Sequence, residues 1–164
     1  MIYFRKELLV KVALFFYPRL LNIIKQNRNM KRRKHTPKQV SKLRDNEIFV
    51  FGSNMGGRHF GGAAAQAHKE FGAEWGVNVG LTGRSWAIPT LTTEGNKMSL
   101  SAIGTSIMRL YLDAKMMPEK DFLVTKIGCG IAGFEESEII PLFREAEKNL
   151  GIQENIILPK GWES

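Results

Sequence analysis

Two glycine-rich segments hold the residues whose types and spacing could do chemistry: Ser53-Asn54-Met55-Gly56-Gly57-Arg58-His59-Phe60-Gly61-Gly62 and Gly128-Cys129-Gly130-Ile131-Ala132-Gly133. Each follows a short β-branched and aromatic run, residues 47–51 and 122–127, and each leads into a helix-forming stretch. Glycine permits positive φ, lets a ligand approach the backbone, and leaves successive N–H groups free to face an anion. The helix that follows adds the positive end of its dipole. Two such loops opening on one crevice would cradle a diphosphate.

The well-known phosphate signatures do not account for them. The P-loop needs a Gly-Lys pair, and the chain has none. The dinucleotide fingerprint Gly-x-Gly-x-x-Gly occurs at 128–133, but the residues where its acidic partner should stand, 147–150, end a helix rather than a strand. Around the loops, Cys129 at a helix start could be a thiolate nucleophile or a small packing residue. His59 could carry a proton or be a plain loop histidine. Arg58 and Arg84 could clamp phosphate or be solvated. Glu135 and Glu136 could be general bases or simply favour a helix dipole.

Positioning these loops requires strands that alternate with helices. Residues 47–51 read as a buried strand ending at Gly52, and 63–71 as a helix closed by Gly72. Residues 77–81 and 85–88 read as short strands, the second stopped by Pro89. Leu100, Ile103, Ile107, Leu110, Tyr111 and Ala114 form one face of a helix closed by Pro118. A strand at 122–127, a helix capped by Ser137 that buries Ile139, Ile140, Phe143, Ala146 and Leu150, and a last strand at 155–158 complete the pattern. This alternation implies an α/β layered domain with a largely parallel sheet.

The 164 residues suit about one domain, and a single cysteine with three histidines excludes a disulfide framework, zinc fingers and iron–sulfur sites, leaving no metal or cofactor expected and a reducing, cytoplasmic setting. The net charge of +8 is unevenly placed. Residues 1–44 carry 13 of the 24 Lys and Arg with one acid, Glu7, whereas residues 45–164 carry 11 bases and 15 acids. The positive excess belongs to the leader, and the body is mildly acidic. The apolar run at 8–17 is interrupted by Lys11, Pro18 and Arg19 before it could span a bilayer, and no small-residue cleavage site follows. Residues 1–35 are therefore expected to be a basic extension, disordered or partly helical, ahead of a domain at 36–164. Residues 1–29 read either as an amphipathic helix on an anionic membrane surface or, the preferred reading, as an extension upstream of a shorter protein that begins at Met30.

Asn54 with Gly61-Gly62-Ala63-Ala64-Ala65 resembles the first ligand loop of macrodomains, and Ile127-Gly128-Cys129-Gly130-Ile131-Ala132-Gly133-Phe134 resembles their second. Thr36-Pro37, residues 47–54, residues 83–90 and residues 127–133 recur in this order in short bacterial and phage-associated macrodomain-like proteins. The resemblance covers about residues 36–162 and implies a three-layer α/β/α fold with a mixed, largely parallel sheet and a pocket for ADP-ribose. It implies that Asn54 meets the distal ribose and that Gly61, Gly62 and Ala63 flank that sugar and its phosphate. Gly128, Cys129, Gly130, Ile131, Ala132 and Gly133 would wrap the diphosphate, and Phe134 would stack near the distal ribose. Gln39-Val40 stands where macrodomains place an Asp-Ile pair that reads adenine, and Glu135 replaces a common proline.

The function expected is binding, or slow hydrolysis, of ADP-ribose or a related NAD-derived nucleotide. Asn54 and His59 are the candidate catalytic side chains, and an enzyme of this kind would be an ADP-ribosyl or ADP-ribose-derivative hydrolase. The alternative is a phage- or nucleic-acid-associated accessory protein without catalysis, touching nucleic acid only through its leader. That alternative predicts steeply salt-dependent DNA or RNA binding that disappears when residues 1–35 are deleted; salt-insensitive binding, or binding that survives the deletion, would exclude the leader as the contact.

Overall fold

Strand β1 (Glu47–Asn54) buries both of its faces and organises everything else. Phe49 and Phe51 enter one core, Ile48 and Val50 the other, the division that a two-residue period imposes on a strand. The computed structural model describes residues 32–163. Four further strands, β2 (Gly80–Thr82), β3 (Ser85–Leu91), β4 (Asp121–Val124) and β5 (Ile156–Ile157), join β1 in one sheet of order β2-β3-β1-β4-β5. Only the β2–β3 hairpin is antiparallel.

Three helices cover the sheet. Helix α1 (Gly62–Phe71) lays Ala64, Ala67 and Phe71 on the Phe49 and Phe51 face. Helices α2 (Leu100–Met116) and α3 (Glu136–Leu150) cover the opposite face with Ile103, Ile107, Ile139 and Phe143. This is an α/β/α arrangement around a mixed, mostly parallel sheet. The chain leaves β1 toward β3 on one side and leaves β4 toward β5 on the other. Connections that diverge from neighbouring carboxyl ends open a crevice between them, and here those neighbours are β1 and β4.

Several boundaries differ from the sequence pattern for identifiable reasons. β1 continues through Gly52 to Asn54; Gly52 pairs with Ile88 of β3, and a Cβ there would meet only ordinary contacts at 3.4 and 3.5 Å, so the glycine does not end the strand. β3 runs through Pro89 because β2 pairs only with Ser85, Trp86 and Ala87, leaving Pro89 on a free edge, where proline is tolerated. β2 is limited to three residues, shorter than and offset from the expected 77–81. β4 stops at Val124, since Ile127 N–H turns back to the Thr125 carbonyl at 2.8 Å. The cap of α3 is Glu135, not Ser137: its carboxylate accepts from the Glu138 N–H while the Glu138 carboxylate accepts from the Glu135 N–H at 2.8 Å.

The compact unit spans Arg33–Ser164 and so takes in three residues ahead of the expected boundary at 36. Arg33 pairs with Glu47 at 2.6 Å, and Thr36 donates through N–H and Oγ1 to the carbonyls of Leu158 (2.9 Å) and Ile157 (2.6 Å), extending the sheet edge. The expectations for residues 1–31, disorder or a partial helix, lie outside the described residues. Among the described residues no helix is long and apolar enough to cross a membrane.

The Glu47 side chain is wholly buried. Burial pushes its pKa up, but hydrogen bonds from Arg33 and the Arg44 N–H, with both guanidinium charges, outweigh burial and hold it below its ordinary value. A lowered folded pKa contributes stability that is present above the unfolded value of about 4.5 and lost as pH falls through the folded one. Arg33→Ala, which leaves the carboxylate buried with fewer partners, is expected to cost about 3 kcal/mol in denaturant unfolding at neutral pH. That deficit should shrink in acid as Glu47 becomes protonated; an equal deficit in acid would remove the ion pair from this explanation.

Candidate functional site

The carboxyl ends of β1 and β4 border a cleft of about 600 Å³, within the roughly 300–1,000 Å³ usual for small-molecule sites. Both glycine-rich segments line it. The second is tied to the first strand by Thr125, whose N–H and Oγ1 both donate to the Val50 carbonyl, at 3.0 and 2.9 Å. The tips of the two loops meet: Ile131 Cδ1 lies 3.0 Å from where a Cβ on Gly61 would stand and 3.5 Å from one on Gly62.

Helix α1 opens on this cleft without a cap. Its N-cap is Gly61, which has no side chain to offer, and its first turn holds no acid. α2 has Ser99, whose side chain accepts from the Ala102 N–H, and α3 has its capping box. The first-turn amides of Gly62, Ala63 and Ala64 therefore keep their hydrogen-bonding capacity and the positive end of the dipole. In the second loop, Phe134 N–H closes onto the Gly128 carbonyl and Gly133 N–H onto the Gly130 carbonyl, both at 2.9 Å. Between these closures the amides of Gly130, Ile131 and Ala132 have no hydrogen-bond partner among the described residues.

Lys38, Arg58 and Lys126 line the cleft against one acid, Glu136. Lys126 forms an ion pair with Glu136, and Trp162 Nε1 donates to the same carboxylate at 2.6 Å. These bonds, with Lys126 the larger effect, hold the Glu136 pKa below its ordinary value. The Glu135 carboxylate is occupied as the α3 cap.

Of the residues singled out in the sequence, Gln39, Val40, Asn54, Gly61, Gly62, Ala63, Gly128, Cys129, Gly130, Ile131 and Ala132 all line this cleft. The Asn54 side chain chiefly braces its own loop: its Nδ2 donates to the Arg58 carbonyl at 2.6 Å and its Oδ1 accepts from the Arg58 N–H at 3.1 Å. Three others do not line the cleft. Phe134 is not at the cleft but 5% exposed in the core on the α2 and α3 face; closure onto Gly128 turns its ring inward. Gly133 is not among the lining residues, and its carbonyl accepts from Lys97 Nζ at 2.6 Å while the same ammonium sits 4.5 Å from the Phe134 ring centroid. His59 is 3% exposed beneath the first loop, with Nε2 3.0 Å from the Glu74 carbonyl and its ring against Phe51 and Trp75, so it cannot serve the cleft as a proton carrier.

Lys38, Phe60, Gln66, Thr90 and Lys126, none of which had been given a role of its own, also line the cleft. Lys38 and Lys126 adjoin segments already singled out, but nothing in their local pattern distinguishes them from solvated lysines. No protein-family model, no curated protein and no solved structure matches the chain.

Burial, followed by the carboxylate of Glu136, pushes the Cys129 thiol up from its ordinary value, with Lys126 opposing only in part. The thiolate is thereby disfavoured, and the side chain packs against the core on the α2 and α3 face. Iodoacetamide should alkylate it more slowly at neutral pH than a free thiol and faster as pH rises; rapid alkylation at neutral pH would contradict this.

Proposed function

We propose that the cleft binds ADP-ribose or a related NAD-derived nucleotide, with the diphosphate between the two glycine loops. The observation that carries this reading is the convergence of two sets of unpartnered backbone amides, Gly62, Ala63 and Ala64 from α1 and Gly130, Ile131 and Ala132 from the second loop, on one cleft. Aligned amides at a helix start and in a turn are general anion binders. Lys38, Arg58 and Lys126 add positive charge to a body that is otherwise mildly acidic. The likeness of both loops to those of macrodomains selects ADP-ribose among diphosphates, and Gln39-Val40 lies at the cleft where a base would be read.

Binding is favoured over hydrolysis. Glu136 is the single carboxylate lining the cleft among the described residues, and its depressed pKa makes it a weak proton acceptor. His59, the other proton carrier considered, is buried away from it.

A Cβ at Gly130 meets no atom within 4 Å, and its φ lies outside the left-handed region, so Gly130→Val should fold normally while placing a branched side chain at the cleft. Calorimetry should detect ADP-ribose binding to the native chain and at least a tenfold loss in this variant, about 1.4 kcal/mol, at unchanged melting temperature. No heat with the native chain at millimolar ADP-ribose would refute the proposal, and undiminished affinity in the variant would remove the second loop from it.

A further inference from the structure

We infer that the cleft takes a ligand with planar groups at both ends, the second being a heteroaromatic ring N-linked to the distal ribose and stacked on Phe60. This rests on the reading just given and adds a substrate class to it.

Phe60 lines the cleft one residue before the α1 N-cap, yet 77% of it is exposed. Its ring is not left loose. Trp75 meets it edge to face with centroids 4.8 Å apart, and Trp75 is in turn braced by His59 at 6.0 Å and His68 at 5.7 Å. Fixing a large apolar ring at the mouth of the cleft returns little burial to the fold, but it preorganises a flat surface for a planar partner.

Its position relative to the other base-contact candidates gives the ligand its form. Gln66 Nε2 donates to the Val40 carbonyl at 2.6 Å, which ties Gln39-Val40 to the Gln66 side of α1. His68 contacts Trp75, and it follows Gln66 by two residues, roughly 200° around the helix. Phe60 reaches the His68 side only through Trp75, and Val40 is held on the Gln66 side, so the two planar-group sites approach the uncapped N-terminus of α1 from different sides. A diphosphate held at that N-terminus would carry one end toward Gln39-Val40 and the other toward Phe60. ADP-ribose alone has a planar base at one end only. A dinucleotide with an aromatic ring on the second ribose fills both sites, and a cationic pyridinium ring adds attraction to the face of Phe60.

The probes are ADP-ribose and NAD⁺, titrated separately into the full chain and into Phe60→Ala and Phe60→Tyr. The expected result is about tenfold tighter binding of NAD⁺ than of ADP-ribose in the native chain, a ratio near one in Phe60→Ala, and a preserved ratio in Phe60→Tyr, all at similar melting temperature. Equal affinities in the native chain, or a preference that survives Phe60→Ala, would overturn the stacking site while leaving ADP-ribose binding intact. Absence of binding by either probe would instead overturn the cleft's nucleotide role, and this inference with it.

Discussion

One backbone carbonyl sets the geometry of the site. Val50, in the middle of β1, accepts hydrogen bonds from both the N–H and the hydroxyl of Thr125, at the point where the chain leaves β4. Those two hydrogen bonds pin the start of the second glycine loop beside the strand that carries the first. Since the connections from β1 and β4 then diverge, the space above the two strand ends stays open. Every property attributed to the cleft follows: amides from two loops facing one volume, lysines from both flanks, and contact between Ile131 and Gly61 across its mouth.

The glycines divide between those the backbone needs and one the cleft leaves free. Gly57 has φ +62°, and a Cβ there would lie 2.3 Å from Gly76; Gly128 has φ +73°, and a Cβ there would press on Phe134 at 3.0 Å. These positions shape the loops. Gly130 has neither constraint, so conformation alone does not require glycine there. α1 likewise goes without a capping side chain; with Gly61 at the N-cap the difference from a Ser or Asp cap is only about a few tenths of a kcal/mol. A helix end that opens on a cleft without a side-chain cap leaves its first-turn amides available to whatever enters there.

The fold was largely legible because its elements have strong periodicity and clear stops. Ile103, Ile107, Leu110 and Tyr111 announced α2, and Gly72, with φ +77°, closed α1 as its residue type suggested. Errors clustered where tertiary contact overrides local pattern. Gly52 and Pro89 looked like strand stops but sit within strands, one carried through by its pairing with Ile88 and one on an edge. The cleft lining was legible where backbone made it, in the glycine loops, and illegible where side-chain direction decided the outcome. Phe134 looked like a ligand contact and is core; Phe60 looked like a loop residue and is the exposed ring at the cleft. His59 could not be assigned to the interior from sequence, because it is buried against rings distant in the chain, Phe51, His68 and Trp75.

The central claim is that backbone amides from two separate loops hold one anionic group. Backbone ¹H–¹⁵N spectra recorded during addition of ADP-ribose read those amides directly. The largest shifts should fall together on Gly62, Ala63, Ala64, Gly130, Ile131 and Ala132 and saturate with a single affinity. Shifts confined to one loop, or centred on residues remote from both, would contradict the account.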